Sequence, residues 1–246
     1  MRVLAHTLVQ PLVHGRNIII GCVICSSSWA AENHPPTVDF YGSFGITIAP
    51  DVEETSQGPL GTSEYVWRDP EDSFGYRFAA GHLICSGGPA GGSAIGAELV
   101  GSTTNITPKS YDTGGLNFAN TSSNTLNYST AGVLLHYGYQ FGADPEAEEI
   151  HTFIYLAPFI GGGAAWANSE FRNGSSYENN NGLGYYIEGG LRLGFALEEK
   201  HWLLGVIIDG VIGTSRVKID YGGGRSSELT IDRLGMGGYV VLGYRL

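Results

Sequence analysis

Eight residues of this chain have the types that polar chemistry uses, and each falls on the same side of its extended segment as the small residues around it. They are Asp39, Arg77, Glu98, His136, Glu188, Arg192, Asp209 and Arg245. Carboxylates beside a histidine can move protons, and a carboxylate–histidine–hydroxyl set can hydrolyse esters or amides. The sequence lacks the motifs that would mark such a set. It has no Gly-x-Ser-x-Gly elbow and no His-Glu-x-x-His zinc pair. His136 has no serine two or three positions away, and none of His34, His82, His151 or His201 opens a His-x-Ser pair. A triad is defined in space, so spacing alone leaves a hydrolase open. The other reading needs no reaction. Four acids and three arginines nearly balance, as charges packed into a closed, poorly hydrated interior must. On that reading no residue is catalytic, and neither a cofactor nor a metal ion is expected.

What would hold these groups together is a set of strands with an apolar opposite face. In a strand, successive side chains point to opposite sides. Val38, Phe40, Gly42, Phe44, Ile46 and Ile48 alternate with Asp39, Tyr41, Ser43, Gly45 and Thr47. The same alternation recurs at about 73–85, 93–102 and 130–141, at 185–197, from Trp202 onward, and at the end of the chain. There Met236, Val240, Leu242, Tyr244 and Leu246 oppose Gly237, Tyr239, Val241, Gly243 and Arg245. A further strand at 151–167 is apolar on both parities, and its faces stay unassigned. The connections alternate between long and short, with polar stretches at 49–72, 103–126, 168–183 and 216–228 expected as loops. Many strands run to 11 or more residues, the length of a tilted membrane crossing. The expectation is all-β: an eight-stranded antiparallel up-and-down transmembrane β-barrel over 37–246, its last strand closing on Val38–Ile48.

Composition points the same way. Glycine numbers 38 of 246 residues, more than twice its usual share, and charged residues are only 15%. No run reaches the ~18 apolar residues of a spanning helix. Residues 1–30 read as a signal peptide, with an apolar core at Asn17–Cys25 and small Ser28 and Ala30 at the cleavage positions; 31–36 form a short polar tail. A lipidated Cys22 is the alternative there. Removing the leader leaves 11 basic against 24 acidic groups, a formal charge of −13, which excludes a basic nucleic-acid-binding face. It also leaves Cys85 alone, so neither an internal disulfide nor a cysteine metal cluster is expected.

In its glycine-spaced, tyrosine-rich crossings the chain resembles the small bacterial outer-membrane barrels of the OmpA/OmpX and opacity-protein type. Ala157-Pro158-Phe159-Ile160-Gly161-Gly162-Gly163-Ala164-Ala165 is similar to the Pro-aromatic-x-Gly-x-Gly strand of that group. Val240, Leu242, Tyr244 and Leu246 resemble its C-terminal assembly signal, with leucine where phenylalanine is usual. The resemblance implies a place in the outer membrane, among its lipid and lipopolysaccharide, and the outer-membrane assembly machinery as a partner. It also implies a structural or surface-interaction role of the adhesin or opacity kind, with host or extracellular ligands met by the loops. Two alternatives stand beside it: a barrel enzyme acting on lipid A, and a narrow pore. An eight-stranded barrel is just wide enough for side chains to fill, so a plugged lumen is the expectation.

Overall fold

The computed structural model describes residues 37–48, 51–59, 61–68, 74–86, 91–119, 123–143, 150–173 and 176–246. The expected leader, Cys22 and the tail at 31–36 lie outside these residues. The described residues form twelve strands: β1 Thr37–Ile48, β2 Asp51–Gly58, β3 Gly61–Arg68, β4 Phe74–Cys85, β5 Gly91–Ile106 and β6 Ser110–Thr113. Then come β7 Leu116–Ala119, β8 Ser123–Ala143, β9 His151–Asn173, β10 Ser176–Glu199, β11 Trp202–Gly222 and β12 Arg225–Arg245.

Eight of them make a ring. β1, β4, β5, β8, β9, β10, β11 and β12 each pair antiparallel with the next, and β12 returns to β1 from Asp39↔Arg245 to Thr47↔Gly237. The stagger of this ring can be followed from register. Trp202 lies opposite Tyr244, then Phe40, His82, Ala97, Leu135, Ile160 and Gly189, and the row meets β11 again at Ile212, ten residues further on. Eight strands with a stagger of ten incline at ~41° on a cylinder of ~8 Å radius, so each residue rises ~2.5 Å along the axis.

On β11 the exposed residues from Trp202 through Leu204, Val206 and Ile208 to Ile212 are apolar. That run spans ~25 Å, the height of the lipid-facing band of a membrane barrel. The same belt runs around β12 (Met236, Val240, Leu242, Tyr244), β1 (Phe40, Phe44, Ile46) and β8 (Val133, Leu135, Tyr137, Tyr139, Phe141), all exposed. Trp202 packs edge-on against Tyr244 at 5.4 Å between ring centroids, at the lower rim where amphipathic rings prefer headgroups. On β9, Phe153, Tyr155 and Phe159 turn inward while Ile154, Leu156 and Ile160 face out, which assigns the strand that is apolar on both parities. A charge placed at mid-belt should be costly. Val240→Arg is expected to destabilise the folded barrel by about 2–4 kcal/mol, read from urea titration in lipid vesicles. An unchanged midpoint would mean that this face does not meet hydrocarbon.

The stretches expected as loops are largely strand, and this corrects the sequence reading. β8 to β12 are 21 to 24 residues long, so the wall continues well past the belt. The phase of β11 never slips: Ile207, Asp209, Val211, Ser215, Val217 and Ile219 all point inward. What changes is polarity. Above Ile212 the outward residues are Thr214, Arg216, Lys218 and Asp220, and from Val217 on the inward ones are apolar. β1 and β4 end at the belt edge, and the β2–β3 hairpin takes their place beside β12, from Asp51↔Asp232 to Gln57↔Ser226. β6 then pairs with β3, and the Lys109 N–H donates to the Arg68 carbonyl at 3.1 Å where β5 runs on toward β6. The upper wall is thereby nearly closed again. Inside it Val52, Trp67, Ile106, Leu126, Val217, Ile219, Leu229 and Ile231 form one apolar core, each large side chain contributing roughly 1.5–3 kcal/mol by burial. The β11–β12 connection needs glycine: Gly223 and Gly224 have φ of 60° and 77°, the left-handed pair of a tight hairpin turn.

Candidate functional site: the ion-paired interior and the wall above it

All eight polar residues singled out by parity are buried in the interior of the ring. Register brings them together in three tiers. At the end bearing the C-terminus, Asp39 and Arg245 are direct cross-strand partners, and Arg245 donates to both Asp39 oxygens at 2.6 and 2.7 Å. Its third contact is Glu198 at 2.9 Å, and its guanidinium lies over the Phe153 ring, 4.1 Å from the centroid.

The middle tier is the most connected. Arg192 and Asp209 are also cross-strand partners, joined by a fork at 2.9 and 2.8 Å, and Arg192 reaches across the lumen to Glu98. Glu98 accepts from the Tyr41 hydroxyl at 2.6 Å. That hydroxyl lies 3.1 Å from His136 Nε2, while Nδ1 of the same ring meets the Tyr155 hydroxyl at 2.6 Å. Above, Glu188 holds Arg77 at 2.9 Å and Arg233 at 3.3 Å, and Ser102 bonds Thr130 at 2.7 Å. Tyr128 and Ser215, bonded to each other, lie next to the apolar core.

Glycine makes these tiers possible by leaving room. Gly81 separates Tyr41 from Glu98 in one cross-strand row, and a Cβ there would sit 2.8 Å from Glu98 Cγ. A Cβ on Gly96 would overlap the His136 imidazole. Gly96→Val is therefore expected to displace that ring, break its tyrosine contacts and cost about 1–3 kcal/mol, measured as a lowered urea midpoint in micelles. Retention of the wild-type midpoint would mean that the ring is not packed there.

Between the lower and middle tiers lies a cavity of about 70 Å³, lined among others by Asp39, Tyr41, His136, Tyr155, Arg192 and Arg245. Cys85 is a buried thiol that donates to Gln140 Oε1 at 2.8 Å. Sequence reasoning missed Arg233, Glu198, Tyr41, Tyr155 and Ser102 as members of the network. Tyr41 shares the parity of Asp39, and Arg233 shares that of Arg245, so extending the period would have found both. Glu198 lies just past the 185–197 alternation, and Tyr155 stands on the strand that is apolar on both parities.

Outside the belt the wall carries its own polar contacts. Arg68 Nε holds Asp112 at 2.7 Å, and this bond, with one from Asn117, lowers the exposed Asp112 carboxyl below its ordinary value. Trp67 Nε1 donates to Glu54, and burial pushes the neighbouring Tyr111 phenol up to about 12.

A closed antiparallel ring with apolar residues facing out over ~25 Å and ion pairs within has one solvent that suits both faces. The protein is a transmembrane β-barrel. No protein-family model matches the chain, and neither does any curated protein. Among solved structures it is similar to the outer membrane protein OprG from Pseudomonas aeruginosa, at 12% identity and a TM-score of 0.37, over 85% of this chain and 95% of that one. Neisserial surface protein A is 12% identical with a TM-score of 0.31, over 82% and 96%. The outer membrane protease OmpT from Escherichia coli is 11% identical with a TM-score of 0.42, over 85% and 97%.

Proposed function

We propose that this barrel is not an enzyme and has a structural or surface-interaction role, holding a rigid β-walled extension outside the membrane. The observation that supports this most directly is the filled interior. Arg77, Arg192, Arg233 and Arg245 each meet a carboxylate, and the apolar core lies above them. Side chains so engaged leave the outer face of the extension as the surface for recognition. Its polar residues, among them Asn179, Asn181, Asp220 and Thr230, stand on paired strands and keep fixed spacing. Extracellular ligands, lipid and lipopolysaccharide around the belt, and the assembly machinery acting through Val240, Leu242, Tyr244 and Leu246 are the partners this role involves.

Two measurements test it. Purified protein in planar bilayers should show no unitary conductance, and lipid A from cells expressing it should have an unchanged mass spectrum. Steady conductance steps altered by Arg192→Met would make it a pore. Loss of an acyl chain that depended on His136 would make it a lipid A hydrolase.

A further inference from the structure

Around most of the wall the outward side chains turn polar at one height. Just above the belt β5 presents Thr103 and Asn105, β8 presents Ser129 and Asn127, and β12 presents Asp232 and Thr230. One sector differs. On β9 and β10, Trp166, Leu183 and Tyr185 continue an exposed apolar face above the belt edge, Leu183 with 71% of its surface open. Beside them β11 turns out Arg216 and Lys218. Register makes these five a block: Tyr185 is opposite Arg216, and Leu183 is opposite both Lys218 and Trp166. Cross-strand neighbours of this kind lie ~5 Å apart.

The block is unusual for this chain. Acids outnumber bases 24 to 13, and the four luminal arginines are already engaged, yet here two cations stand side by side against an aromatic shelf. Arg216 is four residues beyond Ile212, ~10 Å above the belt edge at the wall's tilt, and its long side chain can reach back toward the headgroups. Its acidic contact is Glu228 at 3.9 Å, with both side chains more than half exposed, which makes a weak pair. Glu228 is also the residue opposite Lys218.

Resting on the outer-membrane role proposed above, we infer that this sector binds a phosphorylated glycolipid of the outer leaflet. Trp166, Leu183 and Tyr185 pack against its sugar and the root of its acyl chains, as amphipathic rings do at headgroup level. Arg216 and Lys218 receive its phosphate, the guanidinium as a two-pronged donor and the ammonium as a point charge. Glu228 repels the same phosphate, so removing its charge strengthens binding.

The test uses the full chain folded in micelles, with retention of bis-phosphorylated lipid A read by native mass spectrometry. Arg216→Ala/Lys218→Ala should lower retention at least tenfold, since each charge-assisted contact is worth about 1.5–3 kcal/mol, about tenfold or more. Glu228→Gln should raise it. Dephosphorylated lipid A and phosphatidylethanolamine should be retained no better by the wild type than lipid A is by the double variant. Equal retention by wild type and double variant overturns the inference, as does equal retention of the dephosphorylated lipid or a fall with Glu228→Gln. Full displacement by millimolar inorganic phosphate also overturns it, because the site would then belong to the free anion. These side chains face outward, so heat-modifiable migration checks folding. If the double variant fails that check, the Glu228→Gln and dephosphorylated-lipid arms decide.

Discussion

Arg192→Met should cost the folded barrel about 3–5 kcal/mol, because it leaves Glu98 and Asp209 buried without their cation. Both carboxylates are inaccessible to solvent and the guanidinium is their shared partner. Methionine has nearly the right length and no charge, so packing is largely kept and the electrostatic loss is isolated. The measurement is urea unfolding in phospholipid vesicles, followed by the heat-modifiable band. A companion variant separates charge from shape. Arg192→Met/Glu98→Gln/Asp209→Asn removes all three charges and should recover most of the loss, since a buried pair replaced as a whole is often nearly neutral. If the single variant unfolds at the wild-type midpoint, the middle tier does not hold the ring together. If the triple variant is as unstable as the single one, the loss is one of packing and not of charge.

Ile219→Asp is the second large effect, and it should be local. Ile219 is fully buried among Val217, Leu229 and Ile231 in the extension. A carboxylate there is set among apolar side chains and costs several kcal/mol, so the upper wall should open. The membrane ring has its own ion pairs and belt, and it should remain folded. Protease added from outside is expected to cut between β11 and β12 in this variant and not in the wild type, while heat-modifiable migration is retained. Lys218→Asp, one residue away and facing outward, should change stability by no more than about 0.5 kcal/mol. Equal cleavage of both variants would mean that residues 216–228 form a loop after all.

That contrast between adjacent residues shows where sequence reading succeeded and where it stopped. Within the belt, Trp202, Leu204, Val206 and Ile208 outside and Asp209 inside were legible, because a membrane strand is apolar toward lipid and polar toward the lumen. Beyond the belt the same strand meets water outside and packs inside, so Val217 and Ile219 sit on the lumen parity while Arg216 and Lys218 hold the lipid parity. A search for an apolar outer face sees the pattern end at Ile212 and reads a polar loop. The period was unbroken, and only the solvent on each side had exchanged.

The interior divides the same way. Period two alone placed Asp39, Arg77, Glu98, His136, Glu188, Arg192, Asp209 and Arg245 on one side of their strands, since a strand offers each residue only two directions. It could not pair them. Asp39 meets Arg245 across almost the whole length of the chain, and Arg192 meets Glu98 across the lumen. Those partnerships depend on a stagger of ten that no local stretch encodes. The tertiary structure also decided that Arg233, Tyr41 and Tyr155 complete the tiers and that Gly81 and Gly96 make room for them. It further decided that Arg216 and Lys218 stand against Trp166, Leu183 and Tyr185. Parity is a property of each strand and so lies in the sequence, whereas neighbours belong to the register between strands and exist only once the ring has closed.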